Sequence, residues 1–121
     1  MIEQWTVESM YGLIIIADPD NKAAEIPETG RETVFTNSAV AVPVQPYVDG
    51  PVSLWLGPAS EMTRKFVVFD GELECPTGRL GIELPEDDDI VAIDVPRPVM
   101  RVVISIDDLD FATSVWVGVD L

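Results

Sequence analysis

The sequence has no histidine, a single cysteine (Cys75) and only seven lysines and arginines among its 121 residues. Without histidine, Ser-His-Asp and Cys-His nucleophile systems cannot form. One cysteine excludes an intrachain disulfide, and the usual zinc-ligand sets are excluded with it. Cys75 lies in ELECPTG, where neighbouring acids oppose thiolate formation, so we expect it to pack rather than to react.

Long hydrophobic runs are also missing. The run LIII at 13–16 is far shorter than the ~20 apolar residues that span a bilayer. The start, MIEQWTVESM, has neither the basic region nor the apolar segment that is typical of a signal peptide. These features predict a cytoplasmic protein.

Positive charge is scarce relative to negative charge. The 22 acidic residues outnumber the seven basic ones and give a formal net charge of −15. Such a chain repels nucleic-acid phosphates and anionic membrane surfaces, so we expect neither as a partner. A basic protein would instead be attracted, and its encounter with the chain would be faster.

What the sequence does contain is ten prolines and eight glycines that separate short runs rich in valine and isoleucine. This spacing is typical of β-sandwiches and barrels. No long helical stripe is present, and only 20–25 and 59–64 are candidates for a helical turn. We predict a single domain over residues 1–121, all-β, folded as a two-sheet β-sandwich of about eight to ten short, mainly antiparallel strands. The predicted strands are 4–8, 11–17, 33–36, 39–44, 51–56, 65–70, 79–84, 89–95, 100–106 and 113–119.

Two details of the strands follow from the pattern of their residues. Residues 52–56 alternate, with Val52, Leu54 and Leu56 on one face and Trp55 on the other. Residues 65–70 are apolar on both faces, which predicts a central strand that is covered on both sides. The Asp70-Gly71 pair predicts a tight hairpin turn directly after it.

The stretch LPEDDDIVAIDVP (84–96) contains four consecutive acids, which we expect in a solvated connection between two strands. A second cluster, DDLD at 107–110, connects the last two strands. Nine acids and two arginines lie between Glu83 and Asp110, which gives a local charge of −7. If the three strands form a meander, the two connections lie at its opposite ends.

Metal and enzyme chemistry are poorly supported. DPDNKAAE at 18–25 begins like a calcium loop, but Lys22 occupies the next ligand position and glycine is absent. A loop-end calcium site of Asp87, Asp89, Asp107 and Asp110 is an alternative to solvated turns, which we prefer. Phosphate-loop and dinucleotide motifs are absent, and carboxylate pairs would need a separation that a sequence does not reveal. We predict no enzyme, no catalytic residues, no metal site and no cofactor.

The segment GRLGIELPEDDDIVAID at 78–94 combines alternating apolar residues, Leu-Pro, an acidic turn and a new strand. It resembles the late segment of the small acidic competence-associated nuclease inhibitors of bacteria. The resemblance covers 17 residues and implies an inhibitor or immunity protein whose partner is a nuclease.

Two functional hypotheses remain, and a third explanation needs no partner. The first is an acidic protein-binding module for a basic partner, in which Trp55, with Tyr47 or Phe66, forms an exposed apolar patch. The second is a structural or assembly subunit that binds copies of itself without catalytic activity. The third is that acidity is a general adaptation, for example to salt. The predicted partner-binding residues are Glu86, Asp87, Asp88, Asp89, Asp107, Asp108, Asp110 and Trp55.

Neutralising residues 86–89 with asparagine and glutamine tests whether this acidic stretch serves association or folding. We expect a thermal melt of the quadruple variant to give an unchanged or slightly higher Tm, because four adjacent like charges repel one another. A buried pair with Arg97 or Arg101 would instead cost about 3–5 kcal/mol when broken. A drop in Tm of many degrees would therefore contradict the prediction.

Overall fold

The computed structural model describes residues 2–85 and 87–121, with the backbone alone for residues 87–90. Every strand that the sequence predicts overlaps a strand of the structure, and a 3₁₀ turn at Ala59–Glu61 confirms the helical turn expected there. No helix in the described part of the chain is long and apolar enough to cross a membrane. The strands are β1 (Glu3–Val7), β2 (Leu13–Ala17), β3 (Val34–Phe35), β4 (Ala39–Pro43), β5 (Val52–Pro58), β6 (Phe66–Glu74), β7 (Arg79–Leu84), β8 (Asp87–Asp94), β9 (Val99–Ile106) and β10 (Ser114–Val119).

The strands form two five-stranded sheets, which confirms the predicted β-sandwich. The first sheet has the order β1-β5-β10-β9-β6, and the second has the order β3-β4-β2-β7-β8. The pairing of β5 with β10 is parallel. The connection from β8 to β9 passes from the second sheet to the first, so β7, β8 and β9 do not form a meander.

One apolar layer fills the space between the sheets. Val52, Leu54 and Leu56 of β5 face it from the first sheet, and Ile14 and Ile16 of β2 face it from the second. All five are buried. Burying one side chain of this size contributes roughly 1.5–3 kcal/mol to stability. Burial of the apolar residues that alternate along the strands is therefore the main driving force for the fold.

Strand β6 differs from the prediction in two ways. It is the edge strand of the first sheet rather than a central one, and it continues through Asp70-Gly71 to Glu74 without a hairpin turn. The register of β6 against β9 shifts between Val67 and Phe69. At this irregularity the alternation of inward-facing and outward-facing side chains is interrupted. Consecutive apolar residues therefore occur in β6 although only one face of the strand packs against the core.

The acidic stretch also differs from the prediction. β7 ends at Leu84 and β8 begins at Asp87, so the backbone of residues 87–89 belongs to a strand rather than to the connection. The pairing of Leu84 with Asp87, after a register shift at Glu83, extends the hairpin this far. β8 is an edge strand, where charged residues disfavour pairing with another chain. The predicted exposure of Glu86, Asp87, Asp88 and Asp89 lies outside the described side chains and stays a prediction.

Hydrogen bonds to Asp18 hold the end of β2 against the turn between β6 and β7. Its buried carboxylate accepts hydrogen bonds from the backbone N–H of Thr77 at 2.8 Å, the Thr77 hydroxyl at 2.6 Å and the backbone N–H of Asp20 at 3.0 Å. The carboxylate therefore has a structural role, holding the end of β2 against this turn. Cys75 is buried nearby, and burial, with the charge of Asp18, raises the pKa of its thiol to about 11. This is consistent with a packing role for Cys75.

Replacing Asp18 with alanine should lower the free energy of unfolding by about 2–3 kcal/mol, because the loss of a charged acceptor leaves partly buried donors of Thr77 without a partner. Asp20→Ala is the matched control. Asp20 forms an exposed ion pair with Arg79 at 2.6 Å, and such pairs contribute about 0–1 kcal/mol. Urea unfolding of both variants measures the difference, and equal losses would contradict the assigned role of Asp18.

Candidate protein-binding end of the sandwich

Strand pairing brings several connections to the same end of the sandwich. Leu13 pairs with Pro43 and Ile15 pairs with Glu83, so β4 and β7 both finish at the end where β2 begins. Pro43 also lines one concavity together with Ile106 and Leu109, which places the end of β9 there as well. The connections after β7 and after β9 therefore lie at the same end of the sandwich and not at opposite ends.

Three connections at this end are joined directly by backbone hydrogen bonds. The N–H of Tyr47 donates to the carbonyl of Ser9 at 2.8 Å, and the N–H of Val44 donates to the carbonyl of Gly12 at 2.9 Å. The N–H of Gln45 donates to the carbonyl of Ala112 at 3.0 Å. Residues 8–12, 44–51 and 107–113 thus form one continuous surface, which we call the loop end.

The conformation of the turn before β2 allows residues 44–51 to pack closely against it. The buried Ser9 hydroxyl accepts a hydrogen bond from the N–H of Leu13 at 2.9 Å, which holds the turn closed. Gly12 has φ of +63°, and a Cβ at this position would lie 2.9 Å from the carbonyl oxygen of Val44. Only glycine meets both requirements without strain, so the contact between the two connections depends on this residue.

Two aspartates shape the 107–113 connection. The Asp107 carboxylate accepts hydrogen bonds from the N–H groups of Thr113 at 2.8 Å and Ser114 at 2.9 Å, and from the Thr113 hydroxyl. Burial of Asp107 opposes its ionisation, but these bonds outweigh it and hold its pKa below the usual range. Asp108 accepts bonds from the N–H groups of Asp110 and Phe111, which likewise lower its pKa.

The loop end exposes an unusual concentration of large apolar side chains. Their exposed fractions run from 49% for Tyr47 to 71% for Val48. Exposed apolar residues that lie together, unlike scattered ones, are characteristic of interaction sites. The six residues are Met10, Tyr11, Tyr47, Val48, Leu109 and Phe111.

The charge of the loop end is mainly negative. Its three segments contain five acidic residues, Glu8, Asp49, Asp107, Asp108 and Asp110, and no lysine or arginine. An open concavity of about 670 Å³ adjoins it, lined by Gly30, Arg31, Pro43 and residues 108–111. Apolar side chains surrounded by carboxylates, beside a depression, suit contact with a positively charged protein surface.

The structure brings together only part of the predicted binding set. Asp107, Asp108 and Asp110 lie on the loop end, although the carboxylates of the first two hold the loop itself. β8 begins at the same end, but β2 and β7 separate it from β4 by three strand spacings, or roughly 14 Å. Among the described residues no group of three or more acidic, histidine or cysteine side chains is arranged to hold a metal ion.

Trp55 lies elsewhere, on the outer face of the first sheet. Its half-buried indole covers Gly57, where a Cβ would lie 2.9 Å from the ring. β10 and β9 separate it from Phe66 on β6, and Tyr47 belongs to the loop end, so these aromatic residues do not form one patch. The sequence analysis missed Met10, Tyr11, Val48, Leu109 and Phe111, because no local pattern reveals that the three connections meet.

Comparison with known proteins agrees with this architecture. A crystal structure of ComJ, the inhibitor of the DNA degrading activity of NucA from Bacillus subtilis, matches with a TM-score of 0.68 and 13% sequence identity. The match covers 98% of this chain and 97% of ComJ. The chain shares the fold of ComJ. The resemblance seen over residues 78–94 is thus confirmed as a structural similarity along the whole chain, while no protein-family model and no curated protein sequence matches it.

Replacing Asp107 with alanine should lower the free energy of unfolding by about 1–2 kcal/mol at pH 7, because three donors lose a charged acceptor in a partly exposed loop. Since folding lowers the pKa of Asp107, its contribution is complete above the unfolded value of about 4 and is lost as pH falls through the folded value. Urea unfolding at neutral and acidic pH should therefore show the difference shrinking with acidity. A loss that is independent of pH would contradict this assignment.

Asp110→Ala is the control for that experiment. The same loop contains Asp110, whose exposed carboxylate takes no part in the hydrogen bonds that hold residues 107–114 together. Its replacement should change stability by no more than about 0.5 kcal/mol. An equal effect of the two substitutions would mean that loss of negative charge, and not loss of the hydrogen bonds, is responsible.

Proposed function

We propose that this protein binds a nuclease and inhibits it. The observation that carries the proposal is the whole-length structural similarity to ComJ, a nuclease inhibitor. Because 13% identity reflects the shared fold alone, the proposal also depends on features of this chain itself.

Two such features support the proposal. The net charge of −15 favours a basic partner. A nuclease is such a partner at its DNA-binding surface, because lysine and arginine side chains bind the nucleic-acid phosphates there. The loop end supplies exposed aromatic and aliphatic side chains, which a stable protein interface needs in addition to charge. A protein that inhibits a nuclease by binding to it needs no catalytic group of its own.

Inhibition of DNA degradation tests the proposal directly. The purified chain should be mixed at increasing ratios with the nucleases encoded in the same genome, beginning with any encoded beside its gene. We expect one of them to lose its activity at an equimolar ratio, and calorimetric titration of that pair to show saturable one-to-one binding. Raising the salt concentration should slow association, because salt screens the charges that attract the two proteins.

Polyglutamate with the same total charge is the control. It should leave the nuclease largely active at the equimolar ratio, because it lacks the folded surface. Equal inhibition by polyglutamate would reduce the effect to non-specific charge. A chain that leaves all these nucleases active and sediments as an oligomer would favour the alternative of an assembly subunit.

A further inference from the structure

We infer that the loop end docks over the DNA-binding cleft of the nuclease, so that the inhibitor competes with DNA. This inference rests on the proposed function and specifies the surface through which it acts. It commits to one occupant, a basic protein cleft, on the basis of the preformed loops, their exposed apolar surface and their charge.

The first argument is that the loop end is already formed in the free chain. Three hydrogen bonds join its segments, at Ser9, Gly12 and Ala112, and Asp107 and Asp108 hold the third segment in place. A surface that is ordered before binding loses little conformational freedom when a partner arrives. These loops are therefore suited to rigid docking.

The second argument concerns the apolar anchors. Tyr11, Val48, Leu109 and Phe111 are each at least 60% exposed, so they contribute little to the core of this protein. Aromatic residues at the centre of an interface carry a large share of its binding energy when a partner excludes water from them. The loop end places two such rings, Tyr11 and Phe111, on a surface rimmed by carboxylates.

The third argument is the excess of negative charge at the loop end. Its three segments contain five acidic residues and no basic one, and the basic residues beside them are Arg31, which lines the adjoining concavity, and Lys65, whose charge acts on Asp108. The opposite end, where Asp18 binds Thr77, also carries the basic residues Lys22, Arg79 and Arg97. The loop end therefore keeps an excess of negative charge, which favours a positively charged partner.

The fourth argument identifies the partner's surface. A nuclease must neutralise DNA phosphates, so its DNA-binding cleft is its most reliably basic region. An acidic surface that docks there occupies the position of the phosphates and excludes the substrate. Inhibition must then be competitive with DNA.

The experiment uses the nuclease that the unaltered chain inhibits, with double-stranded DNA as the substrate. One set of variants removes anchors, Tyr11→Ser and Phe111→Ser, and each should bind the nuclease at least ~10-fold more weakly. A second variant, D49N/D108N/D110N, removes three charges while the asparagine at 108 keeps a carbonyl acceptor for its loop. It should associate more slowly and depend less on salt.

Matched controls lie away from the loop end. E25Q/E74Q/D94N also removes three exposed charges, and Ile26→Ser removes an exposed apolar side chain. Both should inhibit like the unaltered chain. Circular dichroism and thermal melts should confirm that all variants fold, as expected for substitutions at exposed positions. For the unaltered chain, the apparent inhibition constant should rise in proportion to the DNA concentration.

The possible outcomes separate the two proposals. If the unaltered chain inhibits but the loop-end variants act like the controls, the inference is wrong and the proposed function stands. Inhibition that does not depend on DNA concentration would likewise overturn docking over the DNA cleft. If the unaltered chain binds none of the nucleases, the proposed function fails and this inference fails with it.

Discussion

The shared apolar layer between the two sheets is the constraint on which the rest of the molecule depends. Every strand except β3 contributes side chains to it, so the sequence must keep its valine, leucine and isoleucine residues in step with the strand period over most of the chain. Because the layer fixes the two sheets relative to each other, it also fixes where their connections emerge. The meeting of residues 8–12, 44–51 and 107–113 is a consequence of this packing and not of any attraction between the loops alone.

The excess of acidic residues imposes a second constraint, since a charge of −15 destabilises a compact chain through self-repulsion. The structure meets it in two ways. Most of the described carboxylates, including that of Asp108, are exposed to water, where repulsion is screened, and those of Asp18, Asp107 and Asp108 accept hydrogen bonds from backbone N–H groups. In those three positions the negative charge stabilises the turns that define both ends of the sandwich. Acidic residues therefore contribute to the fold itself, in addition to any attraction that they would exert on a basic partner.

The positions of the strands could be predicted from the sequence because alternation and turn residues are local signals, and the same signals predicted the sandwich. The position of β6 could not be predicted, because the irregularity between Val67 and Phe69 imitates the pattern of a strand that is covered on both sides. The candidate site was predictable only in part. Asp107, Asp108 and Asp110 stand out as a charge cluster, but Tyr11 and Val48 reach the same surface only through the pairing of β2 with β4, which no short window of sequence contains.

Charge and apolar surface have different consequences for binding. Electrostatic attraction acts over about 8 Å at physiological salt and accelerates encounters, but it favours every basic protein and so discriminates poorly. The side chains of Tyr11, Leu109 and Phe111 act only at contact, where the fit of a particular partner decides how long the complex lasts. An inhibitor of the kind proposed above would have to bind one enzyme quickly and release it slowly in a cell that contains many basic proteins. The loop end combines both requirements in one surface, because carboxylates and exposed rings are held on the same three connected loops.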